Sequence, residues 1–95
     1  LQEAGCFSLV LEAMPATVAG EVTGALAIPS IGIGAGADTD GQVLVLHDLL
    51  GFNTDFRPKF VRTWMDGSGG VQTALQAFHR EVREGSFPGE AECYS

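Results

Sequence analysis

Three apolar runs, a helical pattern between the first two, and a single carboxylate where the first run ends predict a parallel α/β architecture. Strands of a parallel sheet covered on both faces read as continuous apolar stretches rather than alternating ones. Cys6, Phe7, Leu9, Val10 and Leu11 fit that rule, and Glu12 follows them just before a helix that opens near Pro15. Carboxyl ends of strands are where a parallel α/β barrel keeps its chemistry. The expected fold class is therefore α/β, the C-terminal portion of a (β/α) TIM-type barrel with parallel strands. It is incomplete in this chain, because 95 residues fall well short of the roughly 200 or more that a closed barrel takes.

The elements follow in order. LQEAGC, with no initiator methionine, reads as the last turn of a helix stopped by Gly5, and residues 6–12 read as the first strand. Pro15 suits a first helical turn, and Ala16, Val18, Ala19, Val22, Ala25 and Leu26 recur at helical spacing, giving a helix over 15–27. Gly20 and Gly24 weaken it, each by about 1 kcal/mol relative to alanine, unless close packing needs the missing side chains. Residues 28–34 form the second strand, and strand, helix and strand make one right-handed βαβ unit. Asp40-Gly41 before Val43-Leu44-Val45-Leu46 is a tight-turn pair, which locally signals an antiparallel hairpin. Both strands are apolar throughout, however, and this favours a parallel arrangement with a helix-poor crossover. His47 to Leu50 reads as a short helical turn and Gly51 to Pro58 as a loop. Helical spacing returns over Lys59 to Met65 and over Val71, Ala74, Leu75, Phe78 and Val82, broken by the glycine-rich 66–70. Gly85 stops the last helix and FPGEAECYS is an extended tail. All of it, 1–95, is read as part of a single α/β-barrel domain.

Composition narrows the function. A net charge of −7 with five basic residues argues against nucleic acid and anionic membrane partners. No run approaches the roughly 18 apolar residues of a membrane span, and no basic-then-apolar leader is present, so a soluble, cytoplasmic location is expected. Cys6 and Cys93 form neither a disulfide framework nor a CxxC motif and read as free thiols. At 45% hydrophobic, a chain this short standing alone is expected to expose apolar edges.

LVLEAMP, IPSIGIGAG, DGQVLVLHDLLG, the Pro-Lys-Phe at 58–60 and EVREGSFPGE, in that order and spacing, resemble the C-terminal part of ketopantoate hydroxymethyltransferase. The resemblance covers almost the whole chain, and its specificity lies in the ordered set, since each piece alone is common. It implies an eight-stranded barrel, assembled into decamers in the cytoplasm, of which the three strands here are the last. It also implies transfer of a hydroxymethyl unit from 5,10-methylenetetrahydrofolate to 3-methyl-2-oxobutanoate in pantothenate biosynthesis, with Mg2+ as the metal. Glu12 matches the family's catalytic base. The family's metal ligands lie on strands absent from this chain, so no metal ligand is carried over and the chain alone is expected to be inactive.

The chemistry agrees with that role. Making an enolate needs a base within reach of the carbon beside the ketone and a cation on the enolate oxygen. Glu12 supplies the base, and apolar neighbours with a bound substrate would raise its basicity by desolvation. Without the resemblance, a glutamate in this place is more often a solvated loop carboxylate. Gly32, Gly34 and Gly36 could cradle a phosphate or a pterin, but steric permission to turn is the preferred reading, and no cofactor-binding residue is assigned. His47 and Asp48 are read as a cap for their turn rather than as a ligand pair. His79, Glu90 and Glu92 are read as solvated, and Phe60 and Trp64 as packing or subunit contact on an amphipathic helix rather than a stacking platform for bases. A truncated, non-catalytic assembly module with exposed strand edges is the alternative function, and a carboxylate-bearing barrel for another keto acid is a third.

Overall fold

The apolar run before Glu12 pairs through its last four residues as strand β1 (Leu9–Glu12), which leads into helix α1 (Ala16–Ala25) and strand β2 (Ser30–Ile33). The computed structural model describes residues 1–52, 55–65 and 70–94. Strand β3 (Gly41–Gln42), a single helical turn α2 (Leu46–Leu49), helix α3 (Val71–Glu84) and a 3₁₀ turn at Glu90–Glu92 follow. The sheet order is β1-β2-β3 with both pairings parallel, Leu9 opposite Ser30 and Ile31 opposite Gly41. The pairing is thus parallel despite the local hairpin signal of Asp40-Gly41.

Side-chain hydrogen bonds show how a crossover without a helix closes. The Asp40 carboxylate accepts the Ser30 N–H at 2.8 Å, and the Asp40 N–H donates to Ser30 Oγ at 3.2 Å. Ser30 is fully buried and shares a 2.8 Å hydrogen bond with Thr23 of α1. The loop after β2 is thereby drawn back to the start of that strand, so β3 sets off in the same direction. Pairing begins at Gly41, two residues before the predicted apolar run, and ends with the Val43 N–H donating to Gly32 O at 3.0 Å.

Two separate cores result. Leu11, Ala19 and Ala35, joined by Met14 and Val22, bury one sheet face under α1. Leu49, Leu50, Trp64, Ala74 and Phe87 form the second, with Phe78 and Val82 packed against them. Trp64 meets Phe78 and Phe87 edge-on at ring separations of 5.2 and 5.0 Å.

Several expectations are corrected. Lys59 to Met65 is not helical. The Trp64 N–H instead donates to Leu49 O at 3.0 Å, and Arg62 is drawn into ion pairs with Glu81 and Glu92. Those long-range partners outweigh a weak local preference for helix. The tail is not simply extended: it winds through the 3₁₀ turn, and Tyr94 makes a parallel bridge with Pro15. Glu92 is not solvent-facing, its side chain being 12% exposed against Arg62, whereas His79 and Glu90 are exposed. The glycine-rich break at 66–69 lies outside the described residues. Cys6 and Cys93 are free thiols. Among the described residues no helix is long and apolar enough to cross a membrane.

Candidate active site

Parallel pairing sends the three strands out of the sheet at one end, and the sequence-predicted site residues lie at or after strand ends there, except Gly32, which lies within β2. Glu12 ends β1, Gly34 to Gly36 follow β2, and His47 and Asp48 lie in α2 after β3. Leu11 packs under α1, so alternation along the strand puts Glu12 and Val10 on the opposite face. Register adds Ile31 and Ile33 of β2 to that face. Glu12 is exposed there, and Val10 is 62% exposed. No described element packs over the face that Glu12 shares with Val10, so among the described residues its carboxylate is open to solvent.

The glycine turn is occupied by the protein itself. Gly34 lies at φ +68° and a Cβ there would come within 2.8 Å of Phe60 and 3.2 Å of Tyr94. At Gly36, φ +82°, a Cβ would sit 2.4 Å from that of Ala16. Both glycines are buried, which supports the steric reading over a ligand cradle. His47 stacks edge-on against Phe52 at 6.1 Å and is exposed. Neither His47 nor Asp48 caps α2, since its first residue is preceded by Val45 and no side-chain cap bond forms. The cap reading is corrected accordingly: the turn is held by its backbone, with Leu49 and Leu50 N–H groups donating to Val45 and Leu46 carbonyls at 3.0 Å.

Among the described residues Glu12 makes no hydrogen bond or ion pair, and no group of three or more His, Cys, Asp or Glu could hold a metal ion. The described residues do not fit the magnesium that the resemblance implies. Ala13, adjacent to Glu12, has φ +51°. Sequence reasoning missed it, and an alanine carries no signal for a left-handed backbone.

A parallel α/β sheet with a free carboxylate ending its first strand is the layout of an α/β protein whose chemistry sits at strand ends. The family model for ketopantoate hydroxymethyltransferase matches residues 1–90. The chain is 57% identical over its whole length to a 3-methyl-2-oxobutanoate hydroxymethyltransferase of Bdellovibrio bacteriovorus, covering 36% of that protein. It is 56% identical over 94 residues to 3-methyl-2-oxobutanoate hydroxymethyltransferase 2 of Bradyrhizobium diazoefficiens, covering 99% of this chain and 32% of that one. The enzyme of that name from Francisella tularensis is 51% identical over 94 residues, or 99% of this chain and 36% of the relative. The chain belongs to the ketopantoate hydroxymethyltransferase family. It spans about a third of the length of these relatives.

Proposed function

We propose that this chain is the C-terminal part of a 3-methyl-2-oxobutanoate hydroxymethyltransferase, with Glu12 as the base that takes a proton from the carbon beside the ketone. The carbanion so formed bonds to the methylene carbon of 5,10-methylenetetrahydrofolate, and both C–N bonds to that carbon break. Water supplies the hydroxyl oxygen, and the two nitrogens take up the protons from water and from the keto acid. Tetrahydrofolate leaves, and 2-dehydropantoate is formed for pantothenate biosynthesis in the cytoplasm. The observation that carries the assignment is the position of Glu12: last residue of a parallel strand, on the sheet face that α1 leaves open. In a (β/α) barrel the helices lie outside, and the opposite face is the interior leading to the mouth. That face is apolar, with Val10, Ile31 and Ile33 in register behind the carboxylate. A decamer and Mg2+ belong to the same proposal for the full-length protein, with the metal's ligands outside this chain.

Glu12 needs no partner to accept a proton, but it needs the keto acid held against it. Nothing among the described residues forms a cavity for that substrate, so the chain alone is proposed to be inactive. The test is to replace the matched segment of the Bdellovibrio relative with this chain and follow deuterium exchange at the carbon beside the ketone of 3-methyl-2-oxobutanoate. Glu12→Gln is expected to slow exchange by about 10²-fold or more, the usual contribution of a positioned base. Equal rates with and without the carboxylate remove Glu12 from the mechanism, and a chimera inactive with Glu12 intact counts against the assignment of the chain.

The same exposed face suits an assembly module that pairs with a second chain. Exchange activity in the chimera, restored by this segment, separates the enzyme reading from that one.

A further inference from the structure

Ala13 is the one non-glycine residue with positive φ among those described, at +51°. A Cβ crowds the backbone in that region, and such outliers persist where the surroundings over-determine them. Here the surroundings do so. Successive N–H groups of an extended strand point to opposite edges, and Leu9 and Ala13 keep that alternation by donating to Pro29 O at 3.1 Å and Ile33 O at 2.9 Å. Met14 breaks it, since its N–H also turns to β2 and donates to Gly34 O at 3.1 Å. The left-handed turn at Ala13 rotates the next peptide back toward β2, so two consecutive amides grip one strand. Pro15 then bridges to Tyr94, and the tail carrying Tyr94 is held through Glu92 by a two-pronged bond to Arg62, both contacts at 2.7 Å. The chain is pinned at three residues in succession immediately after Glu12.

We propose that Ala13 is a positioning residue for Glu12: its left-handed turn, locked by the Ile33 and Gly34 carbonyls and by the Tyr94 bridge, ends β1 at the carboxylate and fixes its direction. This rests on the reading of Glu12 as the base. An extended residue at 13 would swing the Met14 amide away from β2, release the Gly34 bond and leave the Glu12 backbone tethered on one side of the turn only. Small displacements of a reacting group have large effects on rate, on the order of 10²-fold for 1 Å.

The experiment uses the same chimera with Ala13→Gly, Ala13→Asn and Ala13→Val. Glycine and asparagine accept a left-handed φ, whereas a β-branched side chain there is a genuine outlier. Turnover by the Gly and Asn variants is expected within about two-fold of the parent. Ala13→Val is expected to lose at least about ten-fold in kcat, with KM for 3-methyl-2-oxobutanoate within about two-fold, because the keto acid's own contacts are untouched. A folded Ala13→Val chimera with parental kcat overturns the proposal. Should that variant fail to fold, the other two decide: parental kcat in both upholds it, and a ten-fold loss in either at the parental melting temperature overturns it. Glu12→Gln separates the two levels. If it retains exchange, the base assignment fails and takes the positioning role with it; if it abolishes exchange while Ala13→Val turns over normally, only the positioning role fails.

Discussion

Arg62 joins segments that are 19 and 30 residues away along the chain. Its Nε and Nη2 donate to the two Glu92 oxygens at 2.7 Å each and its Nη1 donates to Glu81 at 3.0 Å, while the guanidinium lies 5.1 Å from the Phe87 ring centre. Glu81 also accepts the Trp64 indole N–H. The hydrogen bond to Glu92 raises the Arg62 pKa above its ordinary value, with burial opposing and both carboxylates adding attraction. A raised pKa means the stabilisation is complete below the ordinary value and is lost only as pH climbs through the higher one. Arg62 titration is thus expected to leave unfolding midpoints flat from about pH 6 to 10, well below the ordinary arginine range. Arg62→Lys keeps the charge but not the fork, and should cost about 1 kcal/mol. Arg62→Ala also removes the cover over Trp64 and Phe87, and should cost about 1–3 kcal/mol after allowing for partial solvent screening. Denaturant midpoints of the three proteins give the comparison, and equal midpoints would mean the tail is held by other contacts.

At the scale of elements, α1 and the turn after β2 place opposite demands on their glycines. Gly36 faces α1 at the Ala16 backbone, where a Cβ would lie 3.0 Å from Cα and 2.4 Å from Cβ of that residue. Gly36→Ala combines this clash with a left-handed φ and should destabilise by about 2–4 kcal/mol. Gly24 sits in α1 with nothing within 4 Å of the point a Cβ would occupy, so close packing does not require it. Gly24→Ala should therefore stabilise by up to about 1 kcal/mol, the helix propensity difference. Thermal melts of the two variants are expected to shift in opposite directions. A downward shift for Gly24→Ala would show that its position is crowded in solution.

For the whole molecule, the open sheet face governs behaviour. The chain extends over 45 × 25 × 22 Å with a radius of gyration of 14.0 Å, against about 12–13 Å expected for a compact domain of this length. Val10 is 62%, Val43 43% and Val45 55% exposed. If this face is a barrel interior, the cost of a polar side chain depends on context. Val10→Ser should change the stability of the isolated chain by less than about 0.5 kcal/mol. In the chimera it should cost about 1.5–3 kcal/mol, because burial there removes the side chain from water. Equal costs in both settings would place Val10 on an outer surface of the full-length protein.

Much of this was legible in the residues. The order strand, helix, strand came from continuous apolar runs and one helical spacing. The α3 stop at Gly85, which adopts φ +80°, came from glycine's tolerance of that conformation. Unbroken apolarity also favoured the parallel direction against the Asp40-Gly41 signal, and the ordered motifs pointed to the family. Glu12's place at a strand end was legible for the same reason, since it depends on neighbours within a few residues. The 59–65 segment, the buried side chain of Glu92 and the left-handed Ala13 were not. Each is decided by partners far along the chain: Trp64 by Leu49, Glu92 by Arg62, and Ala13 by Ile33 with help from Tyr94 beyond Pro15. Local preferences of a few tenths of a kcal/mol per residue set elements where nothing opposes them, and charge-assisted bonds and core packing of a few kcal/mol override them where the fold brings distant residues together.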